Sequence, residues 1–209
     1  MRITFDDVAF SYGSRQVLDG LSAVVEPALV TAIVGPSGSG KSTALAAIGG
    51  FHRPRAGTIV LQDAAGQVHA PAPGLVSWVP QSAAVMTRRT VVDNVLVAPL
   101  AAGRDLAAAH EVALRALGQV GLADRASSPA GDLSGGEKQR LAFARALAST
   151  RPVVLADEPT SSLDAESTRG IARLLADLAR GSTIVVATHD PLVIDAADRV
   201  VMLRGSARA

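Results

Sequence analysis

Two groups of residues in this chain have types and spacings suited to chemistry. The first is Gly35–Thr43, which reads GPSGSGKST. Gly35, Gly40, Lys41 and Ser42 hold the fixed positions of a phosphate-binding loop, and Pro36, Ser37, Gly38, Ser39 and Thr43 complete it. The glycines permit backbone angles that a Cβ would forbid, so successive N–H groups turn into one concavity suited to phosphate oxygens. Lys41 brings a full positive charge to the β- and γ-phosphates, and the Ser42 hydroxyl is a ligand for Mg²⁺. The second group ends the apolar run Val153–Glu158 (VVLADE), which delivers two adjacent carboxylates. Asp157 is placed to hold Mg²⁺ through its water shell, and Glu158 to polarise an attacking water as general base.

The flanking residues supply the setting that such a loop needs. Val30–Val34 (VTAIV) is the short β-branched run of a buried parallel strand, and Ala44–Ile48 continues as a helix. A further stretch, Leu133–Glu137 (LSGGE), offers Ser134 and the N–H groups of Gly135 and Gly136 to an anion at a helix start. The same five residues also fit a plain helix N-cap, a serine with a glutamate three positions on, and both readings stay open.

These residues must be held by a recognisable succession of elements. Ile3, Phe5, Val8 and Phe10 alternate with polar residues, with a slip at Asp6-Asp7, and predict a strand over 2–10. A turn over Ser11–Ser14 leads to a second strand, Gln16–Glu26, interrupted at Gly20. After the loop helix come a strand over 57–62, a polar, proline-rich stretch to Gly74, and a strand at Leu75–Val79 that ends at Pro80-Gln81. From Ser82 to Asp132 the spacing turns helical, over Val91–Leu100 and Asp105–Leu117, and a helix over 136–149 follows the LSGGE stretch. Strand and helix then alternate: Val153–Ala156, Ala165–Ala179, Thr183–Ala187, a short helix after Asp190, and Arg199–Leu203. This alternation predicts an α/β chain with a mainly parallel sheet covered by helices, into which the helical segment is inserted.

Bulk properties exclude several classes. Apolar residues are 48% of the 209 and charged residues 19%, a globular balance with enough length to bury roughly 70% of the unfolded surface. There is no cysteine, which rules out disulfides, zinc–cysteine sites and thiol catalysis. The net charge of +1 and the lack of a basic block argue against nucleic acid as a partner. No signal peptide and no apolar run of ~18 residues is visible, so a cytoplasmic protein is expected.

Taken together the motifs resemble those of the ATP-binding subunits of ABC transporters, and the resemblance covers nearly the whole chain. Gly35–Thr43 corresponds to Walker A, Gln81 in VPQ to the Q-loop, Leu133–Glu137 to the ABC signature and Val153–Glu158 to Walker B. Ser161-Ser162-Leu163-Asp164 corresponds to the D-loop and His189 in ATHD to the switch histidine, while Tyr12 sits where the family stacks an aromatic ring on adenine. His52, His69 and His110 match no motif and read as surface residues. The resemblance implies a P-loop NTPase (RecA-like) core over 1–81 and 150–209, an N-terminal antiparallel β subdomain, and a helical subdomain over 82–149. It implies ATP and Mg²⁺ as ligands, with Ser42, Gln81 and Asp157 at the metal and Glu158, His189, Lys41 and Gln81 in catalysis. It implies a second ATPase subunit whose Leu133–Glu137 closes on the opposite ATP, with Asp164 coupling the two sites. The partner in the membrane would be a separate permease, reached from the inner face of the cell membrane. The stretches 48–59, 90–100 and LSGGEKQRLAFARAL are similar to the macrolide-exporter and lipoprotein-release branch, which also includes a cell-division ATPase.

Overall fold

The computed structural model describes residues 1–13 and 15–203. Ser14, the last residue of the expected first turn, and 204–209, the end of the expected core, lie outside the described residues. In chain order the strands are β1 (Arg2–Tyr12), β2 (Arg15–Val25), β3 (Val30–Val34), β4 (Ala56–Gln62), β5 (Val68–His69), β6 (Val76–Val79), β7 (Val153–Asp157), β8 (Thr183–Thr188) and β9 (Arg199–Met202). The α-helices are α1 (Lys41–Ile48), α2 (Val91–Ala101), α3 (Leu106–Gln119), α4 (Gly135–Ala148), α5 (Ala165–Ala179) and α6 (Pro191–Asp195).

Strands β2, β1, β4 and β5 form an antiparallel sheet in that order. The slip at Asp6-Asp7 has a structural cause. Phe5 and Val8 are three residues apart, which would put them on opposite faces of a regular strand. Asp7 adopts φ 49°, and the pairing of β1 shifts register on both sides here, so a bulge restores the alternation. Ile3, Phe5, Val8 and Phe10 therefore all point into the core. Two expectations differ from the structure. Ser11 and Tyr12 belong to the ladder, paired with Gln16 and Arg15, because the hairpin turns more tightly than four residues require. The proline-rich stretch contains a two-residue strand, β5, paired with the end of β4, too short for any periodicity to reveal.

The second sheet runs β6-β7-β8-β3-β9, with every neighbouring pair parallel. Alternate residues of its central strands feed two cores. Val154, Ala156, Ile184 and Val186 face a cluster built with α2, α3, α4 and α5. Val153, Leu155, Val185 and Ala187 face α1 and the antiparallel sheet, meeting Leu45, Ile48, Phe5 and Leu61. The parallel sheet is thus a middle layer buried on both sides, which explains why its strands are apolar without interruption.

Because β3, β6, β7 and β8 run the same way, their C-terminal ends share one edge. Gly35, Gln81, Glu158 and His189 all follow those ends within a few residues. Ligands of open parallel sheets bind at that edge. The burial pattern predicts unequal tolerance along the sheet. Leu155→Ala, at a fully buried position, should cost about 2–5 kcal/mol in urea unfolding. Val200→Ala, on the 45% exposed side of β9, should cost within about 0.5 kcal/mol. Equal losses would contradict this layering.

Candidate nucleotide-binding site

The glycine-rich loop leaves β3 and runs directly into α1. Gly40 is the N-cap of α1 with φ 96°, a left-handed angle. A Cβ at Gly40 would also come within 2.8 Å of the Val17 and Leu18 side chains on β2, so glycine is required twice over. No side chain caps α1, whereas Thr90, Asp105, Ser134, Asp164 and Asp190 cap α2 to α6. The first-turn N–H groups of α1 are therefore available to a ligand, at the positive end of the helix dipole. They open into a cleft of about 850 Å³ whose walls include Tyr12, the loop from Gly35 to Thr43 (except the buried Ser39), Gln81, Glu158 and His189.

Lys41, Glu158 and His189 are already paired within this cleft. The Lys41 ammonium donates to the Gly35 carbonyl at 2.9 Å and the Pro36 carbonyl at 3.4 Å, and stands 3.4 Å from Glu158 Oε1. His189 Nδ1 lies 2.9 Å from Glu158 Oε2. Glu158 is held in place by its backbone, which adopts φ 45° while its N–H donates to the Ala187 carbonyl on β8 at 2.8 Å. A non-glycine residue in that region costs of order 1–3 kcal/mol and is found where the surroundings over-determine it. Next to it, Asp157 Oδ1 accepts the Ser42 hydroxyl at 3.0 Å. Burial and then the neighbouring Glu158 charge raise the Asp157 carboxyl above the usual carboxylate range, opposed by the Ser42 hydrogen bond and by Lys41.

Gln81 reaches Ser161, its amide 3.1 Å from the hydroxyl. Tyr12 is half exposed, with its hydroxyl 3.5 Å from Thr43 Oγ1 and its ring edge-to-face with His52 at 6.0 Å. His110 is exposed, and His69 Nε2 lies within hydrogen-bond distance of Asp63 Oδ2 at 2.9 Å. The signature residues lie elsewhere. Ser134 caps α4: its hydroxyl accepts from the Glu137 N–H at 3.3 Å, and Glu137 Oε2 accepts from the Ser134 N–H at 2.8 Å. A hydroxyl has one proton and two lone pairs, so this cap uses an acceptor, while the O–H faces the Glu137 carboxylate and would turn from it to donate to another anion. The two readings of LSGGE are compatible. Asp164 likewise caps α5, accepting from the Ser167 N–H at 2.8 Å and hydroxyl at 3.1 Å. Neither Ser134 nor Asp164 lines the cleft. Sequence reasoning missed Arg15 and Val17, which do line it, because their contribution depends on how the β1–β2 hairpin folds over the loop. It also missed Gln139, a buried residue of α4 whose amide donates to the Pro80 carbonyl, just before Gln81, at 3.4 Å.

A family model described as ABC transporter matches residues 18–161, which span the loop, the signature and the paired carboxylates. The chain belongs to the ABC transporter family. It is 36% identical over 207 residues to the lipoprotein-releasing system ATP-binding protein LolD of Bacteroides thetaiotaomicron, covering 95% of both chains. It is 42% identical over 211 residues to the mycobactin import ATP-binding/permease protein IrtB of Mycolicibacterium smegmatis, where 98% of this chain spans only 36% of that protein. Among solved structures it superposes with a TM-score of 0.78, at 29% identity, on an ATP-binding cassette in a dimeric post-hydrolysis state bound to ADP and Pi. That likeness covers 97% of this chain and 94% of the other. The mixed architecture expected from the sequence, a parallel core beside an antiparallel sheet, is the architecture of ABC cassettes.

The cap on this cassette's α4 has a pH signature. The Ser134 backbone N–H, foremost, holds the Glu137 carboxyl below its usual range, with the Ser134 hydroxyl and the charges of Arg125 and Arg140 adding to it. A depressed carboxyl stabilises the fold above its unfolded pKa, and that gain disappears as pH falls through the lowered folded value. Glu137→Ala should therefore melt below wild type at pH 7, and the gap should narrow as pH falls below about 4. A gap of constant size from pH 7 to pH 3 would overturn that assignment.

Proposed function

We propose that this chain is the ATP-binding and ATP-hydrolysing subunit of an ABC transporter and that it drives a separate membrane permease. The observation that carries this reading is the division of the motifs. One cleft holds the phosphate loop, Gln81, Glu158 and His189, while Ser134–Gly136 lie outside it with an O–H and helix N–H groups to offer an anion. A second copy or a related cassette, arranged head to tail, would complete each site. The dimeric state named for the solved cassette supports this arrangement.

On this reading the loop N–H groups and the α1 N-terminus bind the phosphates, and Tyr12 stacks on the base. Lys41 keeps two donors on the Gly35 and Pro36 carbonyls and turns the third, now facing Glu158, to a phosphate oxygen. Glu158 thereby gains a free carboxylate oxygen for water. With both ring nitrogens protonated, His189 would donate Nδ1–H to Glu158 and Nε2–H to a γ-phosphate oxygen. Ser42, Asp157 and Gln81 suit Mg²⁺, which takes few protein oxygens and keeps waters and phosphates around it. A cation there would also offset the burial that disfavours the Asp157 carboxylate. Held by these residues, Mg²⁺ would supply positive charge next to the phosphates. Most of the catalysis is positioning and electrostatics. Asp164, at the start of α5, would couple the two sites.

LolD, matched over 95% of its length, favours a free-standing subunit on the inner face of the membrane and a permease of the lipoprotein-release or macrolide-efflux type. The identity to IrtB favours a second reading, a cassette that serves an importer. A permease motor in cell division and a cluster-assembly ATPase are the non-transport counterparts. No helix among the described residues is long and apolar enough to cross a membrane. Co-purification of the full chain with its membrane partner, and identification of that partner, separates them.

Two substitutions test the chemistry. Glu158→Gln should bind ATP, accumulate as a dimer on gel filtration and hydrolyse at least ~10²-fold more slowly; normal turnover would remove Glu158 from its role. Lys41→Ala should lose nucleotide binding or hydrolysis, and unchanged activity would overturn the phosphate-loop assignment.

A further inference from the structure

The β1–β2 hairpin ends against the phosphate loop. Its last ladder pair is Tyr12 with Arg15, so a single turn brings an aromatic ring and a guanidinium to the same cleft, and both line it. Arg15 reaches over Gly38. A methyl group built on Gly38 would lie 2.9 Å from a guanidinium nitrogen of Arg15, and Gly38 itself has φ 78° within the anion-binding curve of the loop. Arg15 is exposed, and among the described residues it pairs with no carboxylate. Lys41, in contrast, is held by two loop carbonyls and by Glu158. A guanidinium is planar, permanently charged and forked, which matches the oxygens of a phosphate better than an ammonium does.

Resting on the reading of this cleft as an ATP site, we propose that Arg15 is a second cation of the site and binds the phosphate chain of ATP or ADP over the outer side of the loop. The hairpin then holds a nucleotide at two points, with the Tyr12 ring on the base and Arg15 on the phosphates. Arg15 stands over Gly38 and forms no ion pair with Glu158, so its contribution is to binding, shared by ground state and transition state. Removing such a contact raises KM and leaves kcat in place.

The test is nucleotide binding by the purified full chain, with Arg15→Ala and Arg15→Lys beside wild type. Arg15→Ala should weaken ATP and ADP about tenfold, the usual scale of a lost charge-assisted contact. Adenosine, read as a competitor, should bind as it does to wild type, and kcat at saturating ATP should stay within about twofold. Arg15→Lys should recover part of the affinity. ATP and ADP affinities within twofold of wild type in Arg15→Ala would overturn the proposal, as would an equal loss for adenosine, which would indicate a displaced hairpin. If the wild-type chain binds neither ATP nor ADP, the nucleotide reading fails first. If wild type binds both and Arg15→Ala matches it, only the role of Arg15 fails.

Discussion

The need to keep the N-terminus of α1 open governs much of this structure. Four N–H groups at a helix start must find partners, and five of the six described α-helices meet part of that need with a side chain. At α1 the chain instead places a left-handed glycine, presses it against Val17 and Leu18, and leaves the donors facing the cleft. The antiparallel sheet gains its purpose from this contact. Strand β2 supports the loop from one side while β3, fixed in register between β8 and β9, delivers it from the other. Neither sheet alone would hold the loop in shape.

The same economy appears in the charges. Lys41, Glu158 and His189 form a chain of contacts anchored by the left-handed backbone at Glu158 and by the carbonyls of the loop. Away from the cleft, Ser134 and Asp164 act as helix caps. Gln139 ties the middle of α4 to the backbone just before Gln81, so the helix that carries the signature and the strand end that enters the cleft are joined by a direct hydrogen bond.

Much of this was readable from the residues. The parallel core announced itself because VTAIV, VVLA and TIVVA are uninterrupted apolar runs, and the loop because its glycines and lysine have few other uses together. Even the slip at Asp6-Asp7 was visible as a break in a period of two. What escaped reading depends on contacts between distant segments. Arg15 gives no signal until the hairpin is folded onto Gly38. Gln139 looks like any polar position on a helix until β6 is laid beside it. The extension of β1 to Tyr12 and the two-residue β5 were hidden for a different reason: both are decided by the partner strand and not by local preference.

Glu158 carries a consequence for anyone who would engineer this chain. Its left-handed backbone is a position where glycine or asparagine would relax the fold, and its side chain adds a charge to a site where Asp157 is already disfavoured as an anion. Replacing it would relieve a backbone cost of order 1–3 kcal/mol, but it would also strip the buried Lys41 of its carboxylate partner and His189 of its neighbour. Backbone strain and charge pairing meet at this one residue with opposite demands.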